Sequence, residues 1–222
     1  MRIVIAGGHG QIARRLSRLL ADRGDSPVAL IRNPDHVADV EADGAAAVVV
    51  DLESTDAATL AEHLTGADAV VFAAGAGPGS GAARKDTVDR AAAGLLADAA
   101  ERAGVRRYLL VSSVGAGSEP PTGTDEVFAA YLRAKTAAED DLRARTGLDW
   151  TILRPGGLTD DTGTGHVRLG PDIPRGQITR DDVAAVLIAL ADEPRTAGLI
   201  AELSNGPTPI PAAVAALIDP ED

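Results

Sequence analysis

Short hydrophobic runs alternate along this chain with longer stretches in which hydrophobic positions recur at helical spacing. This alternation is typical of repeated strand–helix units and predicts a parallel sheet that helices cover on both faces. The runs predict seven strands: Arg2–Ala6, Val28–Ile31, Ala46–Val50, Ala69–Phe72, Tyr108–Ser112, Trp150–Leu153 and Leu199–Leu203. The helical spacing predicts six helices: Gln11–Arg23, Thr55–Leu64, Thr87–Ala103, Glu126–Arg145, Arg180–Ala191 and Pro211–Leu217. The pattern therefore predicts a doubly wound α/β fold.

Three stretches between these elements are dense in glycine, proline and other small residues, which predicts loops. They are Gly75–Ala83, Gly115–Asp125 and Gly156–Gln177. Long segments without secondary structure in a compact domain are usually functional or mobile. We therefore expect Gly156–Gln177 to lie on the substrate side of the protein, and whether it closes as a lid stays open.

The composition removes several classes of function. Acidic residues outnumber basic ones by 33 to 21, and the resulting net charge of −12 argues against a nucleic-acid partner. Cysteine is absent, which excludes disulfides, thiolate metal sites and a cysteine nucleophile. The four dispersed histidines predict no metal site. No secretory signal and no apolar run of about 20 residues is visible, so we expect a cytoplasmic protein with no membrane partner, as a monomer or homodimer.

A glycine-rich turn follows the first predicted strand and opens the first predicted helix, which is where a dinucleotide-binding fold places its phosphate turn. Gly7 permits the tight turn, Gly10 lets a pyrophosphate approach the backbone, and Ala13 lets the helix pack closely on the strand. Unpaired amides at the start of the helix supply an anion site. The alternative is a glycine turn without a ligand. We predict that the turn binds a dinucleotide through Gly7, His9, Gly10, Gln11 and Ile12.

The ends of the following strands add candidate cofactor contacts. A protein that prefers NAD usually offers Asp or Glu at the end of the second strand, but this chain has Arg32 and Asn33 there. A guanidinium can clamp a 2′-phosphate with two hydrogen bonds, which favours NADP(H) over NAD(H); a solvated arginine is the alternative. The third strand leads to Asp51 and Leu52, which we expect beside the adenine. Space for the second ribose is predicted at Ala73, Ala74 and Gly75.

The most specific chemical signal is Tyr131 followed four residues later by Lys135 in a predicted helix, because this spacing puts both side chains on one helix face. The chain holds only two tyrosines and two lysines, so such a pair arises by chance at roughly 2%. An ammonium beside a phenol favours proton exchange by the phenol near neutral pH. The alternative is a pair of solvated side chains on an exposed helix face.

Two further strand ends carry polar residues. Ser112 and Ser113 end the fifth strand, where ligands of open α/β sheets bind, and a serine hydroxyl there can polarise a substrate carbonyl. The sixth strand leads into Arg154, Pro155 and Gly156, a rigid turn of small residues that can meet a nicotinamide amide. The alternative is that Arg154 pairs with an acid and is structural. Neither a Gly-x-Ser-x-Gly motif nor a Walker phosphate loop is present, which disfavours an α/β-hydrolase and a nucleotide triphosphatase.

Together these motifs resemble the short-chain dehydrogenase/reductase superfamily, and more narrowly its atypical NAD(P)H-binding branch of flavin and biliverdin reductases and NmrA-like proteins. The resemblance extends from residue 1 to about residue 205. It rests on the segments Gly7–Ala13, Leu110–Ser113, Tyr131–Lys135, Trp150–Gly156 and Ile178–Ala184. It implies that Ser113 orients the substrate, that Tyr131 is the acid/base and that Lys135 holds the nicotinamide ribose.

The resemblance implies a single NAD(P)-binding Rossmann domain over residues 1–222, in which residues 155–222 form a small substrate-side portion. The 68 residues after Arg154 are too few for the larger nucleotide-sugar domain of epimerases. We therefore expect an NADPH-dependent oxidoreductase that reduces a small carbonyl or conjugated acceptor by hydride transfer. Two alternatives stay open: a flavin- or quinone-type reductase that needs no proton donor from the protein, and an NADP-binding redox sensor without catalysis.

Overall fold

The computed structural model describes residues 1–77, 79–81 and 84–219. The strands are β1 (Arg2–Ala6), β2 (Ser26–Ile31), β3 (Ala46–Val49), β4 (Ala69–Phe72), β5 (Arg107–Val111), β6 (Asp149–Pro155), β7 (Gly157–Thr159), β8 (His166–Gly170), β9 (Gln177–Thr179), β10 (Leu199–Asn205) and β11 (Thr208–Pro209). The helices are α1 (Gln11–Asp22), α2 (Val37–Ala42), α3 (Ala57–Leu64), α4 (Ala92–Ala103), α5 (Glu126–Arg143), α6 (Arg180–Asp192) and α7 (Ile210–Ile218). Short 3₁₀ turns lie at Pro34–His36 and Pro194–Thr196, and a π-helical segment, Lys85–Ala91, leads into α4.

Nine strands form one sheet in the order β11-β8-β10-β6-β5-β4-β1-β2-β3, and β7 pairs with β9 in a small second sheet. The strands from β10 to β3 in this order are all parallel, while β8 runs antiparallel to β10 and β11. The chain moves outward from β1 on one side and from β4 on the other, so the strand order reverses between them. The predicted Rossmann-type fold is confirmed, and this reversal is where such sheets bind ligands.

Strand β1 shows how the sequence builds two cores. Ile3 and Ile5 face the core under α1 and α6, whereas Val4 and Ala6 face the core under α3 and α4. All four residues are at most 1% exposed. A strand buried on both faces needs apolar residues at every position, which is why these strands appear in the sequence as unbroken hydrophobic runs.

The helix ends follow from local chemistry. The Asp125 carboxylate accepts hydrogen bonds from the amides of Val127 and Phe128 and so begins α5 where the sequence predicts it. Gly104 ends α4 in a left-handed conformation, with φ of 72°. The predicted helix from Thr87 instead starts as the π-helical segment, and it becomes regular at Ala92.

The prediction of one loop over Gly156–Gln177 is wrong, because this stretch contains β7 and β8 and reaches the first residue of β9. In β8 the exposed His166 and Arg168 alternate with the fully buried Val167. The strand exists because β10 and β11, both later in the chain, pair with it. The local sequence pattern does not predict this pairing, because the outward positions are polar and the stretch contains many glycines.

Other departures are smaller. Helix α2 and strand β11 were not predicted, whereas Gly115–Asp125 lacks helix and strand, as expected. Of the predicted loop Gly75–Ala83, residues 78, 82 and 83 lie outside the described residues, and the others have no helix or strand. Within the described ranges, no helix combines the length and the apolar character needed to cross a bilayer.

Candidate functional site

Two cavities open at the carboxyl ends of the strands, on either side of the reversal between β1 and β4. The first, of about 380 Å³, is lined by ten predicted cofactor residues: Gly7, His9, Gly10, Arg32, Asn33, Asp51, Leu52, Ala73, Ala74 and Gly75. The second, of about 470 Å³, is lined by further predicted residues: Ile12, Ser112, Tyr131, Lys135 and Pro155. The segment Ala73–Ala76 borders both cavities. Three predicted residues, Gln11, Ser113 and Gly156, line neither cavity.

The glycine turn packs so closely against neighbouring segments that side chains would not fit there. Gly7 has φ of 76°, and a Cβ atom there would lie 2.5 Å from the Ala74 Cα. A Cβ atom on Gly8, which the sequence analysis did not assign to the cofactor, would lie 2.5 Å from the Ala29 Cβ. The amide of Gly10 donates to the Gly7 carbonyl at 2.8 Å and closes the turn. Glycine is therefore required at positions 7 and 8 by the close packing of the turn against β2 and the segment after β4.

The start of α1 suits an anion. Gly10 caps this helix without a side-chain hydrogen bond, and the first turn contains no acidic residue. The first amides of an α-helix have no partner within the helix, and the helix dipole adds partial positive charge there. The residues present therefore fit the pyrophosphate of a dinucleotide, with the turn and the start of α1 as its binding elements.

The far end of the first cavity carries a cluster of charge around Glu53. This carboxylate lies 3.1 Å from an Arg32 guanidinium nitrogen and 2.6 Å from one of Arg84, and the Thr87 hydroxyl donates to it at 2.8 Å. The hydrogen bond from Thr87, followed by the two arginines, holds the pKa of Glu53 below its usual range. Glu53 is therefore an anion at neutral pH and occupies the Arg32 guanidinium in this structure.

Two histidines extend this cluster. The rings of His9 and His36 stack with their centroids 3.5 Å apart and an interplanar angle of 14°. His9 Nε2 lies 2.8 Å from an Asp39 oxygen, and the His9 contact holds the pKa of Asp39 below its usual range. His36, Glu53 and Arg84 line the first cavity and were missed, although His36 follows Arg32 closely in the chain and Glu53 directly follows Leu52.

In the second cavity, the predicted Tyr131 and Lys135 pair is brought together. The Lys135 ammonium lies 5.8 Å from the centroid of the Tyr131 ring. It donates to the Val111 carbonyl at 3.0 Å and lies 3.2 Å from a carboxylate oxygen of Asp89, which is fully buried. Tyr131 is half-buried and lines the cavity. The alternative of two solvated side chains does not fit, because Lys135 is only 3% exposed.

The other lysine of the chain reaches the same tyrosine. The Lys85 ammonium lies 5.3 Å from the centroid of the Tyr131 ring and donates to the Gly77 carbonyl at 2.9 Å. Sequence reasoning missed Lys85, and the available signal was the rarity of lysine. The other tyrosine, Tyr108, is structural, because it is 1% exposed and its hydroxyl donates to the Ala93 carbonyl. Burial raises the pKa of Tyr108.

The two serines and the arginine predicted nearby form hydrogen bonds to protein groups, whereas a substrate contact would have a donor directed into the cavity. The Ser113 hydroxyl donates to the Val114 carbonyl at 3.3 Å, whereas Ser112 donates to the Glu139 carboxylate. Arg154 donates to the same carboxylate at 3.0 Å, and this contact raises the pKa of Arg154. Glu139 is only 1% exposed. The structural alternative for Arg154 is therefore the one observed.

Metal-binding side chains are not clustered in the part of the chain that the structure describes, where no three His, Asp or Glu residues are grouped to hold an ion. Most buried polar side chains there pair within the core, although the Ser17 hydroxyl and the Arg107 Nε atom have no hydrogen-bond partner. Arg107, for example, donates to the Leu190 carbonyl and to the Thr151 and Thr196 hydroxyls. Its burial lowers its pKa to about 10. This arginine connects β5, β6 and the end of α6, far from both cavities.

Comparison with known proteins agrees with this geometry. A family model described as NAD(P)H-binding matches residues 7–194. The uncharacterized sugar epimerase YhfK of Bacillus subtilis is 38% identical over 215 residues, which cover 96% of this chain and 99% of that protein. A solved structure from Bacillus halodurans, classed provisionally as an NAD-dependent epimerase/dehydratase, has a TM-score of 0.89 at 37% identity over 98% of this chain and 100% of that one.

A reductase is also among the similar structures. ChuY, an anaerobillin reductase from Escherichia coli O157:H7, has a TM-score of 0.79 at 27% identity and covers 92% of this chain and 97% of its own. These likenesses support an oxidoreductase-type fold and a nicotinamide cofactor, and they are consistent with the atypical branch that the sequence motifs resemble. The matched model extends over most of the chain and includes the glycine turn, Tyr131 and Lys135. This chain belongs to the NAD(P)H-binding family.

Proposed function

We propose that the protein is an NADPH-dependent oxidoreductase that reduces a small carbonyl or conjugated acceptor. The observation that carries this proposal is the buried Lys135 beside Tyr131, in a cavity that shares the wall Ala73–Ala76 with the cavity of the glycine turn. The first cavity fits the adenine half and the pyrophosphate of the dinucleotide. The second cavity contains the residues predicted for the nicotinamide half and leaves room beside them for an acceptor. When bound, the reduced nicotinamide supplies a hydride to the acceptor.

In this proposal a side chain of the protein donates the proton that the acceptor requires. Tyr131 donates the proton of its hydroxyl to the oxygen of the acceptor as that oxygen gains negative charge, and solvent then restores the phenol. The Lys135 ammonium stabilises the transient phenolate and holds the ribose, while Asp89 and the Val111 carbonyl keep the ammonium in place.

Although Ser113 lines neither cavity, it keeps its predicted role of orienting the acceptor as a secondary part of the proposal. Among the described residues, the neighbouring Val114 carbonyl is the one hydrogen-bond partner of its hydroxyl. Replacement of Ser113 with Ala should lower kcat/KM by no more than about tenfold, the size of one neutral hydrogen bond. Steady-state kinetics on the best acceptor checks this. A loss as large as that expected for Tyr131→Phe would place Ser113 among the essential groups.

The overall function is tested by two measurements on the purified protein. Mass spectrometry should identify NADP(H) as the nucleotide that co-purifies, and NADPH should be consumed with at least one member of a panel of aldehydes, enones, quinones and flavins. Consumption with flavins or quinones alone would favour a reductase that needs no proton donor from the protein. Tight binding without consumption across the panel would favour a redox sensor.

Reduction is favoured over sugar epimerisation for this protein, although YhfK carries an epimerase name. Among the described residues after Arg154, strands β8, β10 and β11 extend the central sheet, and α6 and α7 pack on it. Little chain remains there to enclose a nucleotide sugar. An assay with UDP-glucose in the presence of the oxidised cofactor tests the choice, and conversion of this sugar would overturn it.

We propose NADP(H) rather than NAD(H) because Arg32 and Arg84 both border the far end of the first cavity. Arg32→Asp should weaken NADPH binding about 10- to 100-fold and leave NADH within threefold, since a charged hydrogen bond to phosphate contributes about 1.5–3 kcal/mol. Isothermal titration with both nucleotides measures this. The control is Arg143→Asp, which makes the same charge change at a side chain that is 53% exposed against 56% for Arg32. Equal losses for both nucleotides would remove Arg32 from the phosphate.

Glu53 offers the opposite test. Its carboxylate now holds both Arg32 and Arg84, so Glu53→Gln should free the two guanidinium groups and remove a repulsive charge. We expect NADPH binding to tighten severalfold while NADH binding changes little, as titration of the same two nucleotides would show. A variant that binds NADPH more weakly would instead assign Glu53 itself to the cofactor.

A further inference from the structure

Lys85 is a buried cation that lacks a carboxylate partner in the described part of the chain. It is 8% exposed, and its ammonium has two contacts there, the Gly77 carbonyl and the face of the Tyr131 ring. Lys135 is different, because Asp89 lies 3.2 Å from its ammonium. Lysine is also rare, since 19 of the 21 basic residues are arginine and both lysines border the second cavity.

An ammonium in this position can accept an anionic partner. It has three N–H donors, of which the Gly77 carbonyl takes one. A buried charge is costly unless it is paired, and an aromatic face compensates only part of that cost. The two carboxylates among the residues that line this cavity already have partners: Asp89 pairs with Lys135, and Asp125 accepts hydrogen bonds from the first amides of α5. An anion entering the cavity would therefore find Lys85 available.

The mouth of the same cavity is apolar. Six large hydrophobic residues of the described chain are markedly exposed, and three of them line this cavity: Val127, Phe128 and Leu158. The Phe128 ring is 49% exposed and lies beside that of Tyr131, with the centroids 5.8 Å apart and an interplanar angle of 26°. The two rings form an aromatic wall of the cavity next to Lys85. Exposed apolar groups that cluster at one opening indicate a binding site for the apolar part of a ligand.

We propose that the second cavity selects an amphipathic acceptor, with a flat apolar part that packs against Phe128 and a carboxylate that pairs with Lys85. This inference rests on the proposed function, in which the bound molecule accepts the hydride, and it adds the chemical class of that molecule. The net charge of −12 repels anions from the protein as a whole. A local cation at the cavity is what allows an acidic molecule to bind there.

The test uses two ligands that cannot be reduced by hydride transfer, 2-naphthoate and its neutral analogue 2-naphthamide. Isothermal titration should show naphthoate binding the native protein at least about tenfold more tightly than the amide. Lys85→Met should abolish that preference and leave amide binding within about twofold, while Lys85→Arg should retain it. Far-ultraviolet circular dichroism and thermal melting of each variant confirm that it is folded.

Two results would overturn the inference: an equal loss of both ligands in Lys85→Met, or an unchanged preference for naphthoate. A further possibility is that Lys85 binds the cofactor, and titration of NADPH into Lys85→Met tests it. Weaker NADPH binding, with naphthoate binding unchanged, would assign Lys85 to the cofactor. If naphthoate binding depends on Lys85 but no acceptor consumes NADPH, the proposed reduction fails and the acid-binding site stands. If turnover is found, KM for 4-carboxybenzaldehyde should rise about tenfold in Lys85→Met, and KM for methyl 4-formylbenzoate should not.

Discussion

Replacement of Tyr131 with Phe should lower kcat by about 10²- to 10⁴-fold, the contribution of a positioned proton donor. The change removes one oxygen and keeps the ring that contacts Phe128 and both lysines. NADPH affinity should therefore stay within about twofold, because the ring and its contacts with both lysines remain. Single-turnover absorbance measurements of NADPH oxidation separate the chemical step from binding and release.

The matched control is Tyr108→Phe, which makes the same chemical change at the only other tyrosine. The Tyr108 hydroxyl bonds to the Ala93 carbonyl inside the core, so its loss should reduce the free energy of unfolding by about 1 kcal/mol and leave kcat unchanged. Full turnover in Tyr131→Phe would contradict the proton-transfer role. It would then favour the reductase class in which water protonates the product.

The largest loss of stability is expected for Arg154→Met. Arg154 and Glu139 form an ion pair in which the carboxylate is 1% exposed, and the variant leaves that charge with Ser112 as its remaining partner. Removal of one member of a buried pair costs about 3–5 kcal/mol. For a chain of this length this cost corresponds to a fall in Tm of roughly 6–20 °C. Chemical denaturation followed by circular dichroism measures the free energy of unfolding directly.

An exposed ion pair provides the control for that prediction. Arg106 pairs with Asp149 while the two side chains are 61% and 44% exposed, so Arg106→Met should cost at most about 1 kcal/mol. Addition of Glu139→Leu to Arg154→Met should recover much of the loss, because it removes the unpaired charge. If the single variant at Arg154 were no less stable than that at Arg106, the pair would not be a major support of the fold.

The parts of the fold predicted from the sequence are those set by local pattern. Strands β1 and β4 lie where they were predicted, because unbroken aliphatic runs report burial on both faces. The beginning of α5 follows from the capping side chain of Asp125. Strand β8 was not predictable in this way, because its partner β10 lies some thirty residues later and its own outward positions are polar.

The site divides along the same line. The glycine turn and the Tyr131–Lys135 spacing are short-range patterns with a direct chemical meaning, and both lie at the cavities. The tertiary partners of these residues were not predictable from the sequence. Glu139 accepts hydrogen bonds from both Ser112 and Arg154, and Lys85 reaches Tyr131 from a separate segment. Which acid pairs with which base depends on how β5, α5 and β6 approach one another, and no local periodicity records that approach.

One face of α5 limits how this protein can change under laboratory evolution. Phe128, Tyr131, Lys135 and Glu139 recur at helical spacing, so the cavity mouth, the phenol, the ammonium and the anchor to β5 and β6 lie along a single line. Each of these four side chains contributes either to the second cavity or to the anchor of α5 beside it. Random libraries aimed at new acceptors should therefore yield few survivors on this line, and productive variation should concentrate on loops that border the second cavity from other segments.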